Sequence, residues 1–469
     1  MTIASHNETA EVPPSWLRRI VDVRPGEMRA MIASAVFFFF LLSSYFVLRP
    51  IRDAVAAASG VSQLPQLFLG TLAVTLLCNP LFSWLVVRFP VRRVIPISYQ
   101  FFVVSFLIFY AVLRFVSAGE GSTLDVWMGR AFFVWITVFA LFNTSIFWCL
   151  MADAFTSDQA KRLFGFIAVG GSFGSVTGSA LTAELAPRIG AVNVLLVSSV
   201  LLELAIVTIT RWPPVVTGDA VGGLSKREVD RNTVIGGSVW SGFTQIMKSP
   251  YLLGICVFQL LYVFGSTVLY FAQSDLVGKL YADRTARTAV LAQIEFAVQT
   301  LTVFTQIFLT GRIIRWVGLA VALAILPAVS VLGFGVLGAV ASFQALAVFT
   351  VLRRATNFAV MNPSMEILFT VVKREDKYKA KNVIETFVYR GGDQLSGWAY
   401  AGLAAAGLSL AGISFVTVPL SAFWLGLGIW LGRRQSQMAA AIAAPSTSQE
   451  GPRHGPVVTE PSHRVSKVS

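Results

Sequence analysis

Charge is scarce in this sequence. Asp, Glu, Lys and Arg make up 13% of its 469 residues, about half of the roughly one-quarter share in a soluble globular chain. Histidine is scarcer still. His6, His454 and His463 all lie near the two ends, which excludes imidazole from a metal site or proton relay in the body of the chain. The three cysteines, Cys78, Cys149 and Cys256, sit singly inside apolar runs. That is the pattern of buried or lipid-facing thiols rather than of disulfides or metal ligands. There is no GxxxxGK[ST], no HExxH, and no GxGxxG placed after a strand. An ATP-hydrolysing domain, a metal, a resident cofactor and the nucleophile–base set of an enzyme are therefore not expected, and no catalytic residue is assigned.

What is abundant is apolar: 55% of the residues are hydrophobic and 37 are Phe. Twelve apolar segments can be drawn at about the 20-residue length that a bilayer requires. They lie near 29–58, 62–87, 94–116, 126–153, 160–186, 190–211, 250–274, 285–311, 317–339, 341–372, 380–407 and 409–432. The expected fold class is an all-α membrane protein with 12 transmembrane helices. The longest internal polar stretch, Trp212 to Val239, carries Pro213, Pro214 and mixed charge and divides the spans six and six. The expected organisation is an N-terminal tail (1–28), a six-helix half (29–211), a linker (212–249), a second six-helix half (250–432) and a disordered tail (433–469).

Lys and Arg orient this arrangement. With the first residue in the cytoplasm, most of the 37 basic residues fall on cytoplasmic connections such as 211–248 and 373–381. The outer connections carry only Arg114, Arg188, Lys279, Arg284 and Arg287. The positive-inside rule then puts both termini in the cytoplasm of a multi-pass protein of the inner (plasma) membrane. These connections account for the net charge of +13, so nucleic acid is not an expected partner. The expected partners are the bilayer and a small solute, and the chain is expected to act as a monomer.

Six arginines remain inside the spans: Arg49, Arg52, Arg130, Arg353, Arg354 and Arg390. Charges at membrane depth are costly and face a protein interior or a watery cavity. Leu48-Arg49-Pro50-Ile51-Arg52-Asp53 is the sharpest case, with Arg49, Arg52 and Asp53 on one helix face. Pro50 is expected to bend that helix. Arg49 has a competing reading as a snorkelling anchor at the outer interface, and Arg130 has the same one. Arg353 and Arg354 point ~100° apart, so one at most faces a cavity and the other meets an acid or a carbonyl. Arg390 and Asp393, at i and i+3, fit either a cavity site or an intrahelical pair. Guanidinium suits carboxylate or phosphate. The expected substrate-binding set is therefore Arg49, Arg52, Asp53, Tyr270, Arg353, Arg354, Arg390 and Asp393. Glu203, Glu295 and Glu385 are candidates for ion coupling, or equally the buried partners of the arginines. Tyr45, Trp135, Tyr262, Tyr270, Tyr389 and Trp398 could stack on a planar group, or else pack or line the interface. Gly165, Gly170, Gly171, Gly174 and Gly178 run along span five, with Gly174 and Gly178 as a small-xxx-small face, and read as close helix packing.

Six plus six spans is the arrangement of the major facilitator transporters. Two stretches also resemble the nucleotide transporter family, the ATP:ADP antiporters and their free-living bacterial relatives. They are Phe147-Trp148 with Gln159-Ala160-Lys161-Arg162-Leu163-Phe164-Gly165, and Lys377-Tyr378-Lys379-Ala380-Lys381 with Tyr389-Arg390-Gly391-Gly392-Asp393. Arg52-Asp53 is similar to the Lys-Asp that the family carries in span one. The acids that the exchangers use in spans four and seven are replaced here by stretches such as Val134-Trp135-Ile136-Thr137 and Thr267-Val268-Leu269-Tyr270. The resemblance implies secondary transport. The expected function is alternating-access transport of an anionic organic solute, a nucleotide or a related phosphorylated metabolite among the candidates, by exchange or ion coupling. Two alternatives stand beside it: a proton-coupled exporter of another small molecule, and a non-transporting membrane sensor or assembly protein.

Overall fold

Among the described residues, each predicted apolar run contains a helix. The structure, a computed structural model, describes residues 23, 27–88, 91–117, 119–155, 157–211, 246–372 and 383–443. Nearly all of the expected N-terminal tail, most of the linker, the basic segment 373–381 and the end of the C-terminal tail lie outside these residues, as do the side chains of Asp153, Lys161 and Glu385. The first six helices are α1 (Met28–Ser59), α2 (Leu64–Arg88), α3 (Val91–Ala111), α4 (Thr123–Ala154), α5 (Ser157–Ile189) and α6 (Val194–Arg211). Then come α7 (Pro250–Leu280), α8 (Arg284–Thr305), α9 (Gly311–Ala339), α10 (Phe343–Thr356), α11 (Tyr389–Ala405) and α12 (Leu410–Ala443). Side-chain caps fix several starts. Ser122, Ser249, Asp283 and Ser342 accept the orphan N–H of Asp125, Leu252, Ala286 and Ala345 at the heads of α4, α7, α8 and α10. Pro50 is accommodated within an uninterrupted α1.

Among the described residues ten helices, α1 to α9 and α12, are long and apolar enough to cross a membrane. The other two are broken into shorter pieces. α10 passes through a π turn (Asn357–Met361) into a short segment, Asn362–Leu368, and a π turn (Ile384–Val388) precedes α11. Sequence periodicity does not register these turns. They occur beside the arginines of spans ten and eleven, as π turns commonly do near functional residues.

The packing repeats with an offset of six helices. α1 packs on α4, α5 and α6, and α7 packs on α10, α11 and α12. α3 meets α6 as α9 meets α12, and α2 meets α4 as α8 meets α10. Across the middle, α5 lies on α8 and α11 on α2, with α1 against α7. Such a repeat places a shared space around the α1–α7 axis. Aromatic layers fill the core of the first six helices, including Phe38 stacked on Phe147 at 3.9 Å between ring centres. The closest approach is α1 on α5. A Cβ at Gly170, Gly174 or Gly178 would run into the carbonyl oxygen of Ala35, Phe39 or Ser43. Ser43 Oγ and Thr182 Oγ1 cross the same seam to the carbonyls of Gly174 (3.0 Å) and Val47 (3.1 Å). At the head of α5, Arg162 forks onto Glu27 at 3.0 and 2.9 Å. The Arg of the Ala-Lys-Arg stretch thus ties α5 to the start of α1.

A charged clasp joins the two sets of helices at one end. Arg284 Nη2 donates to both carboxylate oxygens of Asp125 (2.6 and 2.5 Å). Arg287 pairs with Glu120 and also reaches the carbonyls of Tyr281 (3.1 Å) and Ala282 (2.7 Å). Asp125 and Arg287 are buried. The sequence reading counted Arg284 and Arg287 only for orientation. In the sequence reading Glu120, Asp125, Arg284 and Arg287 fall in or beside two outer connections, and that coincidence is the signal that would have paired them.

Candidate functional site

The cavity is built from breaks in an apolar pattern. Arg49, Arg52 and Asp53 share a face of α1, and α1 continues about 15 Å beyond Arg49 to Ser59. Arg49 is therefore not at a helix end, and its Nη1 turns inward to the buried Glu295. Arg49 and Arg52 line a cavity of about 280 Å³ with Phe68, Thr71 and Leu72 of α2 and Phe133 and Thr137 of α4. Tyr270 of α7 and Tyr389, Arg390, Asp393 and Gln394 of α11 complete the wall. A wider vestibule of about 700 Å³ begins at the same Tyr389 and Arg390 and runs past Gln259, Phe358, Asn362 and Glu366. It reaches toward the end of the bundle opposite the clasp.

Each charge has a distinct set of partners. Arg52 holds Asp53 Oδ1 through Nη2 (2.7 Å) and Nε (3.0 Å), and Tyr270 Oη donates to the same oxygen (3.2 Å). The Arg52 guanidinium also lies 5.5 Å from the Phe133 ring centre. Glu295 of α8 is the hub of a second group. It accepts from Arg49 Nη1 (3.2 Å), from both terminal nitrogens of Arg354 (2.7 and 3.1 Å) and from Gln299 (2.7 Å), and it is 2% exposed. Gln299 in turn accepts from Ser175 of α5 (3.1 Å). Glu295 thereby binds helices from both sets, α1 and α10 directly and α5 through Gln299. A carboxylate is stable at this depth because two cations and an amide meet it.

Of the adjacent arginines on α10, neither lines the cavity. Arg354 is committed to Glu295. Arg353 points the other way and is 2% exposed. Its three nitrogens go to Ser330 Oγ (3.2 Å), Ser266 Oγ (2.8 Å) and the Tyr262 carbonyl (3.1 Å), and it lies over the Tyr262 ring. Gly265 leaves room for it, since a Cβ there would come within 3.0 Å of Nη2. Arg390 and Asp393 do not pair: no ion pair within 4.0 Å joins Arg390 to a carboxylate among the described residues. Arg390 lies over its own neighbour Tyr389, and Asp393 receives a single long hydrogen bond from Thr267 Oγ1 (3.4 Å). Glu203 stands apart from the cavity, taking a hydrogen bond from Gln100 of α3 (2.7 Å). Arg130 touches Gln63 at 3.5 Å and the Trp127 ring.

Arg49, Arg52, Tyr270, Arg390 and Asp393 are thus brought to one space, with Asp53 behind Arg52. Sequence reasoning missed Phe68, Phe133, Thr137, Thr267, Gln299 and Gln394, uncharged residues with no motif to mark them. At and behind the cavity wall the linked charges are the guanidinium groups of Arg49, Arg52, Arg354 and Arg390 and the carboxylates of Asp53, Glu295 and Asp393, a set with one more cation than anion.

Comparison with known proteins is consistent with this architecture. Over 87% of the chain the structure superposes on 98% of a bacterial homologue of the iron transporter ferroportin in its inward-facing state, with a TM-score of 0.57 at 12% identity. Over 88% it matches 97% of a D-xylose–proton symporter, with a TM-score of 0.55 at 14% identity. The fold is of the major facilitator type. No protein-family model matches the chain. A curated protein, ADP,ATP carrier protein 2 of Chlamydia pneumoniae, is 24% identical over 227 residues, 43% of this chain and 42% of that protein. The match therefore spans under half the length of that relative.

Proposed function

We propose that this protein is a secondary transporter of an anionic organic solute working by alternating access. The observation that carries the reading is the guanidinium of Arg390, which no carboxylate among the described residues reaches within 4.0 Å, lining one cavity with Arg49 and Arg52 between the two sets of helices. A guanidinium with no closed ion pair at membrane depth invites an anion. Arg52 and Arg390 would hold the anionic group, and Phe68, Phe133, Tyr270 and Tyr389 would bound its organic part. The fold supports transport, since it is shared with proteins named as transporters. The name of the partly matching relative, an ADP,ATP carrier, places nucleotides and other phosphorylated metabolites among the first solutes to try. The two halves, 29–211 and 250–432, would rock about the α1–α7 axis in an inner membrane, with both termini cytoplasmic.

Glu295 acts in this scheme as an internal stand-in for the solute. Its carboxylate occupies Arg49 while the cavity is empty, and an arriving anion competes for that arginine. Differential affinity of this kind is what a ligand needs to shift a two-state equilibrium. The reading is tested by a thermal-shift screen of the detergent-purified protein over phosphate, nucleotides, dicarboxylates, sugars and organic cations, because a ligand stabilises the state it binds. Stabilisation by at least one class of anion, and none by neutral sugars or cations, is the expected result. Stabilisation by neutral or cationic solutes alone would overturn it.

A further inference from the structure

Beside the anion site, the cavity wall carries one acceptor without a hydrogen-bond partner, on Gln394, and one only weakly met, on Asp393. Gln394 of α11 is 6% exposed and lines the cavity. Its amide nitrogen donates to the Pro65 carbonyl at 3.1 Å. Only the NH₂ end can make that bond, which fixes the amide orientation. The other end, Oε1, is buried without a hydrogen-bond partner. The neighbouring residue Asp393 has no cation within ion-pair distance among the described residues, and only the 3.4 Å contact from Thr267. Leaving buried acceptors unmet is costly, most of all for a charged one.

Among the described side chains, the charged and titratable groups that line this spot or pair with its lining can be named. α11 itself contributes Arg390 and Tyr389, α7 contributes Tyr270, and α1 contributes Arg49, Arg52 and Asp53. Arg49 is taken up by Glu295, and Arg52 and Tyr270 by Asp53. Arg390 stands one helical turn from Asp393 without closing on it. An unpaired cation and an unpaired carboxylate, held side by side on one wall with a second bare acceptor, form a dipolar pattern. A proton on Asp393 would neutralise the carboxylate but leave Gln394 Oε1 unmet. A group with several N–H donors and a positive charge would satisfy both.

We propose that Asp393 and Gln394 form a subsite for a cationic amino group, so that the solute of this cavity is an anion that also carries an ammonium: an amino acid or an amino-substituted phosphate. The inference rests on the anion-site reading above and narrows it. Arg390 takes the carboxylate or phosphate, and the acceptor pair takes the amino group beside it. The one excess positive charge of the cavity favours solutes with more negative than positive charge.

The test uses probe pairs that differ only in the amino group: glutamate against glutarate, and O-phosphoethanolamine against ethyl phosphate. Binding to the purified full-length protein is measured by titration calorimetry. In the wild type the aminated member of at least one pair binds about tenfold or more tightly, as expected for a charge-assisted hydrogen-bonded group. In Asp393→Asn that preference falls to near unity. Equal binding of both members of each pair by the wild type overturns the subsite while leaving the anion site standing, and this comparison needs no variant to fold. A preference that survives in Asp393→Asn also overturns it. So does a preference for the unaminated member together with proton uptake on binding, which would make Asp393 a proton site. If no member of either pair binds, the anion site fails for these solutes and the subsite fails with it. That outcome is distinguishable from the failure of the subsite alone.

Discussion

Arg353 and Arg354 are neighbours in sequence and differ in everything that sets their energetics. Arg354 shares a carboxylate, whereas Arg353 is buried among two hydroxyls, a carbonyl and an aromatic face. Replacing Arg353 by Ala strips those oxygens of their donor and opens a void. The expected cost is about 2–4 kcal/mol, seen as a lower melting temperature of the purified protein. Arg130→Ala removes only a 3.5 Å contact and a ring contact near a helix end and should stay within about 0.5 kcal/mol of the wild type. Glu295→Ala should cost more than either, about 3–5 kcal/mol, because it leaves the part-buried Arg354 without its anion and Arg49 with only Asp53 at 3.9 Å. Equal melting temperatures for all three variants would contradict these assignments. The sequence showed that charges stood in apolar spans, and that adjacent arginines diverge by ~100°. It did not show which way the pair was turned. That depends on Ser266, Ser330 and Glu295 on three other helices, and partners so remote in sequence leave no local trace.

Among the elements, the α1–α5 seam was the most legible. Glycines every fourth residue predict close packing, and the carbonyls of Ala35, Phe39 and Ser43 fill the space where their side chains would be. Gly174→Ala should destabilise by about 1–3 kcal/mol through forced separation of the helices and lower the yield of folded protein. Gly165→Ala, where a Cβ meets nothing within 4 Å, should be neutral or slightly stabilising, since Ala is the better helix former. Melting curves of the two variants give a direct comparison, and a Gly174 variant as stable as the Gly165 variant would contradict the seam. The π turns at Asn357–Met361 and Ile384–Val388 were not legible. They change the count of backbone hydrogen bonds per turn without changing the apolar pattern, so α10 and α11 read from sequence as ordinary spans.

At the scale of the whole molecule, the clasp closes one end and the vestibule opens toward the other, which is one of the two states that the proposed transport cycle requires. Arg284–Asp125 and Arg287–Glu120 join helix ends from both sets, and the cavity opens away from them. Neutralising the acids in a Glu120→Gln, Asp125→Asn double variant should favour opening at the clasped end. A cysteine placed at Thr137, on the cavity wall, should then react faster with a membrane-impermeant thiol reagent added from that side. An unchanged rate would mean that the clasp does not hold the gate. The hydropathy pattern conveyed the all-helical class and the placement of ten long apolar helices among the described residues. It gave no hint of which end is shut, because that depends on contacts between connections more than 150 residues apart. The central claim, that this cavity carries anions past a pair of arginines, is tested most directly by uptake into proteoliposomes. Labelled anions that stabilise the purified protein would be offered to the wild type, Arg52→Ala, Arg390→Ala and Arg130→Ala. The account requires saturable uptake by the wild type and Arg130→Ala, reduced about tenfold or more in Arg52→Ala and Arg390→Ala through loss of a charge-assisted contact. Uptake undiminished in both cavity variants would contradict it.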